Sequence, residues 1–444
     1  MRSIKYGVMT SVFLACMSLF GGGFGLFEHS TKALGMGGAF VARADNATAI
    51  YFNPAGITQL EGLSWALTTS PIQPNVSLTD TGGNQYKVDS SLTVIPSLYL
   101  TYQLSDQFWL GVGSYVPFGL ATKMEENWAG RYNSHNADAS SLNLNLNLAY
   151  KVNDHLSLAF GLDAQMFDVT LEQKILPSAI VYSQREGIMA GLLAQGMDAV
   201  TAEYVFNTQF LAPSAELKDI NQEISGDKTC LGYNLALHYK PNDFVSMGVS
   251  YRSSVDYDID GKAKYRDVTQ GFIFPFESIF YDAPGLAKIE LPSFLYFGFA
   301  YFPNEKLCFE IDAWQSGWST YDVLDVFIEN GLQSVQTIKN WDDVWMFRAG
   351  CEYVINDSWY ATLGYLYDES PIPDEHMDFT LPASDRDVYS FGIGFTKGNY
   401  CFEASYGYLK LQDRHVEARP SEFILEMDIE GDVNLYSIGV TYKK

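Results

Sequence analysis

The residues best suited to metal or acid–base chemistry are six histidines, His29, His135, His155, His238, His376 and His415. None stands at the HExxH or HxH spacing that gathers imidazoles around one ion, so no metal site is expected. His155 follows Asp154 in a turn-like Asn-Asp-His stretch, where the pair reads as solvated, and no GxSxG elbow supplies a nucleophile. A Ser/His/acid set gathered from distant positions is the one catalytic arrangement left. Gly35-Met36-Gly37-Gly38-Ala39 loosely matches a dinucleotide fingerprint. That fingerprint needs a strand before it and a βαβ unit around it, and neither is present. The glycines read instead as tight turns. Five cysteines, Cys16, Cys230, Cys308, Cys351 and Cys401, lie far from any zinc spacing. The last four fall in strand-like segments, where they serve as small apolar side chains on a wall or pair as disulfides. The expectation is no catalysis, no cofactor and no metal.

The composition narrows what holds these residues. The chain has 444 residues, 47% of them hydrophobic and 15% aromatic, with 37 Gly and 16 Pro. Mean hydropathy is nonetheless −0.06. Such an aromatic content excludes a disordered chain. Past the N-terminus no uncharged apolar run reaches the length of a spanning helix. The net charge of −25, from 28 Lys+Arg against 53 Asp+Glu, argues against a nucleic-acid partner. At the N-terminus Arg2 and Lys5 precede an apolar stretch from Tyr6 to Phe20 and then Gly21-Gly22-Gly23. This predicts a secretory signal peptide over 1–23, with a lipoprotein signal at Cys16 as the rival.

Stepwise alternation is the dominant pattern. In Leu142-Asn143-Leu144-Asn145-Leu146-Asn147-Leu148 one strand face is Leu and the other Asn. A membrane barrel turns the Leu face to lipid and the Asn face inward. The same period recurs over Leu156 to Ala164, Leu231 to Tyr239, Trp345 to Glu352, Tyr389 to Phe395 and Tyr436 to Tyr442. Tyr and Trp gather at the ends of these runs, as interfacial girdles require. The reading is an all-β fold: a 14-stranded antiparallel transmembrane β-barrel over 62–444. An even count suits closure, which leaves no unpaired edge in lipid. Residues 24–61 depart from the pattern, as do 174–228 and 265–288, which are too apolar for ordinary solvated loops. They read as interaction surface or as loops packed on each other.

From Gly23 onward the chain resembles the FadL/TodX family of outer-membrane transporters for hydrophobic compounds. The marks are Gly23-Phe24, Leu34-Gly35-Met36-Gly37-Gly38-Ala39, Asn53-Pro54-Ala55, Gly119-Leu120-Ala121-Thr122, Trp128-Ala129-Gly130-Arg131-Tyr132, Leu142 to Val152, and Tyr251-Arg252-Ser253, in that order. The resemblance implies an N-terminal plug over 24–61 inside the lumen, extracellular capture loops, an interior pocket, and a kinked third strand that opens the wall sideways. It implies transport of long-chain fatty acids or similar hydrophobic molecules in the bacterial outer membrane. The alternative within the family is uptake of aromatic hydrocarbons; an outer-membrane hydrolase, pore or adhesin would be a different class. Expected partners are hydrophobic small molecules, outer-membrane lipid and lipopolysaccharide, with the chain acting as a monomer and binding no nucleic acid.

The same resemblance nominates residues. Phe24 matches a ring that lines the pocket. Lys174, Arg252 and Arg348 are candidate carboxylate partners, the last two on lumen faces by strand period, with structural ion pairs as the competing role. The excess apolar content of the loop at 265–288, and not the resemblance, makes Phe272, Phe274 and Phe276 candidate ligand contacts. Asn53, Pro54 and Ala55 should end the plug beside a gate at Pro117, Phe118 and Gly119. Pro117 lacks an N–H and Gly119 tolerates unusual backbone angles, so this run cannot hold a regular ladder. Asn53 is the expected partner of the freed backbone, with capping of a turn as its other role. Two departures stand out. Gln173 occupies a position where the family can carry an Arg, and the chain closes on Tyr442-Lys443-Lys444 and not on an aromatic residue.

Overall fold

The computed structural model describes residues 23–330 and 335–444, so the signal-peptide segment with Cys16 lies outside the described residues. Fourteen antiparallel strands close into one barrel. In chain order they are β1 (Leu63–Asp80), β2 (Thr93–Gln103), β3 (Phe108–Tyr115 and Gly119–Lys123), β4 (Asn136–Lys151), β5 (Leu156–Ile175) and β6 (Ile220–Asn242). Then follow β7 (Val245–Arg252 and Val255–Arg266), β8 (Ala283–Leu291 and Phe294–Asn304), β9 (Leu307–Ser316 and Val323–Ile328) and β10 (Val335–Ile338 and Val344–Val354). The last are β11 (Trp359–Asp368), β12 (Arg386–Lys397), β13 (Tyr400–Leu411) and β14 (Met427–Lys443). β14 pairs with β1 from Ser64↔Lys443 to Asp80↔Met427, which seals the sheet into a cylinder.

The leucine–asparagine repeat shows why the wall forms. On β4, Leu144, Leu146 and Leu148 are about half exposed on the outside, while Asn143, Asn145 and Asn147 are buried in the lumen. The asparagines have partners there: Asn145 donates to Asp163 on β5 at 2.8 Å, and Asn234 on β6 donates to the same carboxylate at 3.2 Å. Backbone groups are satisfied between strands and the polar side chains face inward, so only apolar surface meets lipid. One end of the barrel has short turns and the other long loops, the periplasmic and extracellular ends of an outer-membrane barrel. At the short-turn end Trp65 stacks with Tyr442 at 6.0 Å in the aromatic girdle.

The plug fills the lumen with α1 (Thr31–Gly35), α2 (Ala49–Phe52) and a 3₁₀ turn (Pro54–Gln59). Ser30 caps α1 by accepting from Ala33 N. The glycine run makes a turn flush against the wall. Gly37 and Gly38 have φ of +67° and +81°, and a Cβ on Gly37 would lie 2.6 Å from Tyr365 O. Two carboxylates of β9 then hold the following segment. Asp312 accepts from the amides of Phe40 and Val41 at 2.9 and 3.1 Å. Glu310 accepts from those of Ala42 and Arg43 at 2.7 and 3.1 Å.

The wall is not uniform. β7, β8, β9 and β10 all break at one level, at 253–254, 292–293, 317–322 and 339–343. Their inner pieces pair in sequence with one another, and so do their outer pieces. The outer pieces therefore form a four-stranded flap joined to the lower wall along a hinge line. β5 continues to Ile175 and β6 begins at Ile220, so the connection between them is 176–219, shorter than the expected 174–228. The β7–β8 connection is likewise 267–282, because the ladder between these strands persists beyond the apolar belt. The first connection is helical, with Asp198 capping one helix through Val200 N and Thr201 N. Both loops share one apolar core that includes Phe206, Phe274, Phe276 and Phe280. The four described cysteines are free thiols.

Candidate functional site

Between the plug, the wall and the flap lies an apolar cavity of about 70 Å³, narrower than an ordinary small-molecule site. Phe24 of the plug, Leu120 of β3, Phe167 of β5 and Ile224 of β6 line one side; Ile259, Ala287 and Val326 of the flap line the other. Phe24 is the plug's contribution to this lining. Its ring packs on Trp318 at 4.8 Å and Phe118 at 5.9 Å, with Trp341 at 6.2 Å. Trp318 and Trp341 sit on the hinge segments of β9 and β10, so plug terminus, kink and flap hinge meet in one aromatic cluster.

The cavity carries one cation, Lys339, beside Thr380. Lys339 is buried at 3% exposure and pairs with Asp378, which also accepts from Thr380 N at 3.0 Å. Burial opposes the Asp378 charge, and Lys339 overrides that and holds the carboxyl below its usual range. The pair is therefore ionised, and a ligand carboxylate could compete with Asp378 for the ammonium. Nothing local marks Lys339 in the chain, because its partner lies 39 residues away.

The three cations nominated from the resemblance do not line this cavity. Lys174, at the outer end of β5, pairs with Glu126 at 3.0 Å and with Asn221. Arg252 faces the lumen, as its strand period requires, but donates to Asp163 at 2.8 Å and lies over the rings of Tyr51 and Tyr115. Arg348 also faces inward, where its guanidinium lies 3.3 Å from the Trp314 ring centroid and 4.9 Å from that of Phe27. Lys174 and Arg252 are held by neighbouring acids, which corrects the expectation of free carboxylate partners for them; Arg348 is held by rings and by Met346 Sδ at 3.7 Å, its buried Nε and Nη1 without a partner among the described residues, and it stands outside the cavity. Gln173 is bonded to Gln222 at 2.7 Å.

The loop phenylalanines are corrected too. Phe276 is fully buried and Phe274 is 7% exposed; Phe274 packs on Phe276 at 4.9 Å and Phe272 at 5.8 Å from it. They hold the two loops together and do not face the cavity. Exposed apolar side chains lie elsewhere on these loops, at Tyr182, Val200, Tyr204 and Ile273.

β3 does break at Val116–Phe118, and the wall opens there. Its inner piece pairs with β2 from Gln103↔Trp109 to Leu98↔Ser114. Its outer piece pairs with β4 over Gly119↔Ser140 to Lys123↔Asn136 and makes no ladder with β2. The freed backbone is met by the plug's first residues and by Ser141. Leu26 N donates to Pro117 O and Gly119 N to Phe24 O, each at 2.9 Å, and Phe118 N donates to Ser141 Oγ at 3.0 Å. Asn53 is not the partner. Its Nδ2 donates to Val41 O at 2.8 Å and Leu237 O at 3.0 Å, and its Oδ1 accepts from Ala55 N at 3.2 Å. Pro54 and Ala55 begin the 3₁₀ turn that Asn53 caps, so Asn53-Pro54-Ala55 pins the plug to β6 and stands away from the kink.

Comparison with known proteins agrees with this geometry. The family described as outer membrane protein transport protein (OMPP1/FadL/TodX) matches residues 12–443. The long-chain fatty acid transport protein of Escherichia coli K12 is 24% identical over 99% of this chain and 98% of its own. Outer membrane protein P1 of Haemophilus influenzae is 23% identical over 98% and 97%. Among solved structures, a Pseudomonas aeruginosa FadL homologue superposes with a TM-score of 0.78 at 17% identity, covering 95% of this chain and 99% of that one. The Pseudomonas putida toluene transporter TodX gives 0.67 at 16% identity, with coverage of 95% and 99%. The chain, a closed 14-stranded outer-membrane β-barrel around a plug, belongs to the OMPP1/FadL/TodX family of outer-membrane transport proteins.

Proposed function

We propose that the protein carries long-chain fatty acids or similar hydrophobic molecules into the outer membrane, without catalysis. The observation that supports this is an apolar cavity with one cationic end, lying beside a wall that has no ladder between β2 and the outer piece of β3. The loops take the molecule at the extracellular end, above the lipopolysaccharide layer, and the lumen cavity receives it. Each buried methylene contributes about 0.8 kcal/mol. At about 70 Å³ the resting cavity takes only the end of an acyl chain, so both admission and release need movement of Phe24 and the kink. The chain acts as a monomer, each barrel holding its own cavity and side opening. The test is native mass spectrometry of the purified barrel with its co-purified lipids identified. Retained fatty acids support the reading, and a preparation that binds neither added palmitate nor toluene rejects it.

A second reading, uptake of aromatic hydrocarbons, is favoured by the pairing of Lys339 with Asp378, which leaves the cavity no unpaired cation for a neutral ligand to desolvate. Tight binding of toluene by a protein indifferent to palmitate would select it.

A further inference from the structure

The wall has a second interruption, between β6 and β7. Their ladder runs from the periplasmic end to Asn234↔Arg252, and Ser253 N still donates to Tyr233 O at 2.9 Å. It resumes at Asp227↔Asp260 and continues to Asn221↔Arg266. Between these points residues 228–232 and 254–259 share no ladder, and β7 spends one residue more than β6. An unpaired interval in a membrane wall is costly and therefore needs a cause.

The flap is the cause. At the 253–254 break β7 turns inward, so that its side chains cross the inner face of β6. Val255 occupies the space over Gly232, its Cγ2 3.1 Å from where a Cβ would stand. Tyr257 reaches past β6 to Phe167 on β5, with ring centroids 5.3 Å apart. The inward residues of β6 here are Cys230 and Gly232, too small to form a barrier of their own. Outside the same interval Leu231 is 79% exposed and Tyr233 is 42% exposed, at the upper rim of the apolar belt. Inside it lies the cavity, of which Phe167 and Ile259 are lining residues.

We propose that this interval is a second side passage, through which uncharged apolar molecules move between the cavity and the outer rim of the membrane, closed at rest by Val255 and Tyr257. The exposed carboxylates of Asp256 and Asp258 stand on the outer face of β7 at its lip. Lys288 pairs with Asp258 at 3.5 Å and Lys228 with Asp260 at 2.8 Å, which leaves Asp256 to oppose a fatty-acid carboxylate, so the passage favours hydrocarbons over acids. The proposal rests on the reading that the cavity holds hydrophobic cargo.

The test compares toluene and palmitate uptake by cells carrying a kink-filled protein, Pro117→Val with Gly119→Val, with and without Tyr257→Ala. Altered migration of unboiled protein on a denaturing gel confirms that each barrel is folded, and Val255→Ala replaces Tyr257→Ala should the latter not assemble. Toluene uptake is expected to persist with the kink filled and to rise several-fold when Tyr257 is removed, while palmitate uptake stays low in both. Joining Cys230 to the new thiol of Tyr257→Cys with a short bismaleimide should abolish the toluene flux. Toluene flux lost on filling the kink alone, or unchanged by both Tyr257→Ala and the bridge, overturns the passage. The transport reading fails separately, if the unmodified protein takes up neither compound.

Discussion

Replacing Lys339 with Met asks whether the cavity reads a carboxylate. The amine is almost fully buried, lines the cavity and is held by Asp378. Removing it alone would leave that carboxylate buried without its counter-ion, held only by Thr380, at a cost of up to about 3–5 kcal/mol that falls on loop stability as well as on binding. The informative comparison is therefore made in an Asp378→Asn background. There Lys339 is free for the ligand, and Lys339→Met leaves no orphaned charge. A hydrogen bond between charged groups contributes about 1.5–3 kcal/mol. At 1.4 kcal/mol per tenfold, that is about tenfold to a hundredfold in Kd. Binding of palmitate and of 1-hexadecanol to the purified barrel is measured by fluorescence displacement in detergent. Palmitate should weaken by that factor in the double variant relative to Asp378→Asn alone, and hexadecanol should change by less than about threefold. Equal weakening of both ligands, or unchanged palmitate affinity, would refute Lys339 as the carboxylate partner and leave it a loop-fastening ion pair.

Filling the kink with Pro117→Val and Gly119→Val should restore a ladder toward β2 and lower palmitate uptake while barrel assembly persists; normal uptake would remove the side opening from the mechanism. Phe276→Ser should free the two loops, so limited proteolysis should cut within 176–219 or 267–282 far faster than in the unmodified protein, with the barrel core intact. Glu310→Ala with Asp312→Ala leaves four plug amides without acceptors, at about 1–3 kcal/mol each, and single-channel recordings should show ion conductance that the unmodified barrel lacks. Leu146→Arg puts a charge on the lipid face and should lower unfolding stability in bilayers by about 2–4 kcal/mol, whereas Asn145→Ser on the lumen face should cost far less.

The barrel was legible because lipid and lumen make opposite demands on alternate residues. Leu142 to Leu148 could satisfy both only as a wall strand, and Asn143, Asn145 and Asn147 duly face Asp163 and the plug. The resemblance supplied Phe24 and the kink. What stayed hidden depends on distant partners or on strand breaks. Lys339 is one lysine in an unpatterned stretch until folding brings Asp378 to it. Arg252 and Arg348 were placed on the correct face, but strand period says nothing of the acid and rings that occupy them. Asn53 was matched to the wrong backbone, because a residue before Pro54 satisfies its own turn first. The flap escaped notice because Pro292 and Gly317, which mark two of its hinges, equally mark strand ends.

The contacts between plug and closing strands bear on how the molecule is made. Thr31 of α1 bonds Ser437 on β14 at 2.8 Å, its carbonyl accepts from Ser405 on β13 at 2.9 Å, and Lys443 donates to Asp45 O. The plug is synthesised first, yet α1 rests on the last strands to appear. Once the β1–β14 seam zips shut, a folded helix cannot be threaded through the cylinder. The plug must therefore be docked while the sheet is still an open trough, and it templates the register in which the seam closes. Biogenesis and transport thus draw on the same serine and threonine contacts, and a substitution such as Ser437→Val would surface as slow or misregistered insertion before it was felt in the passage of any ligand.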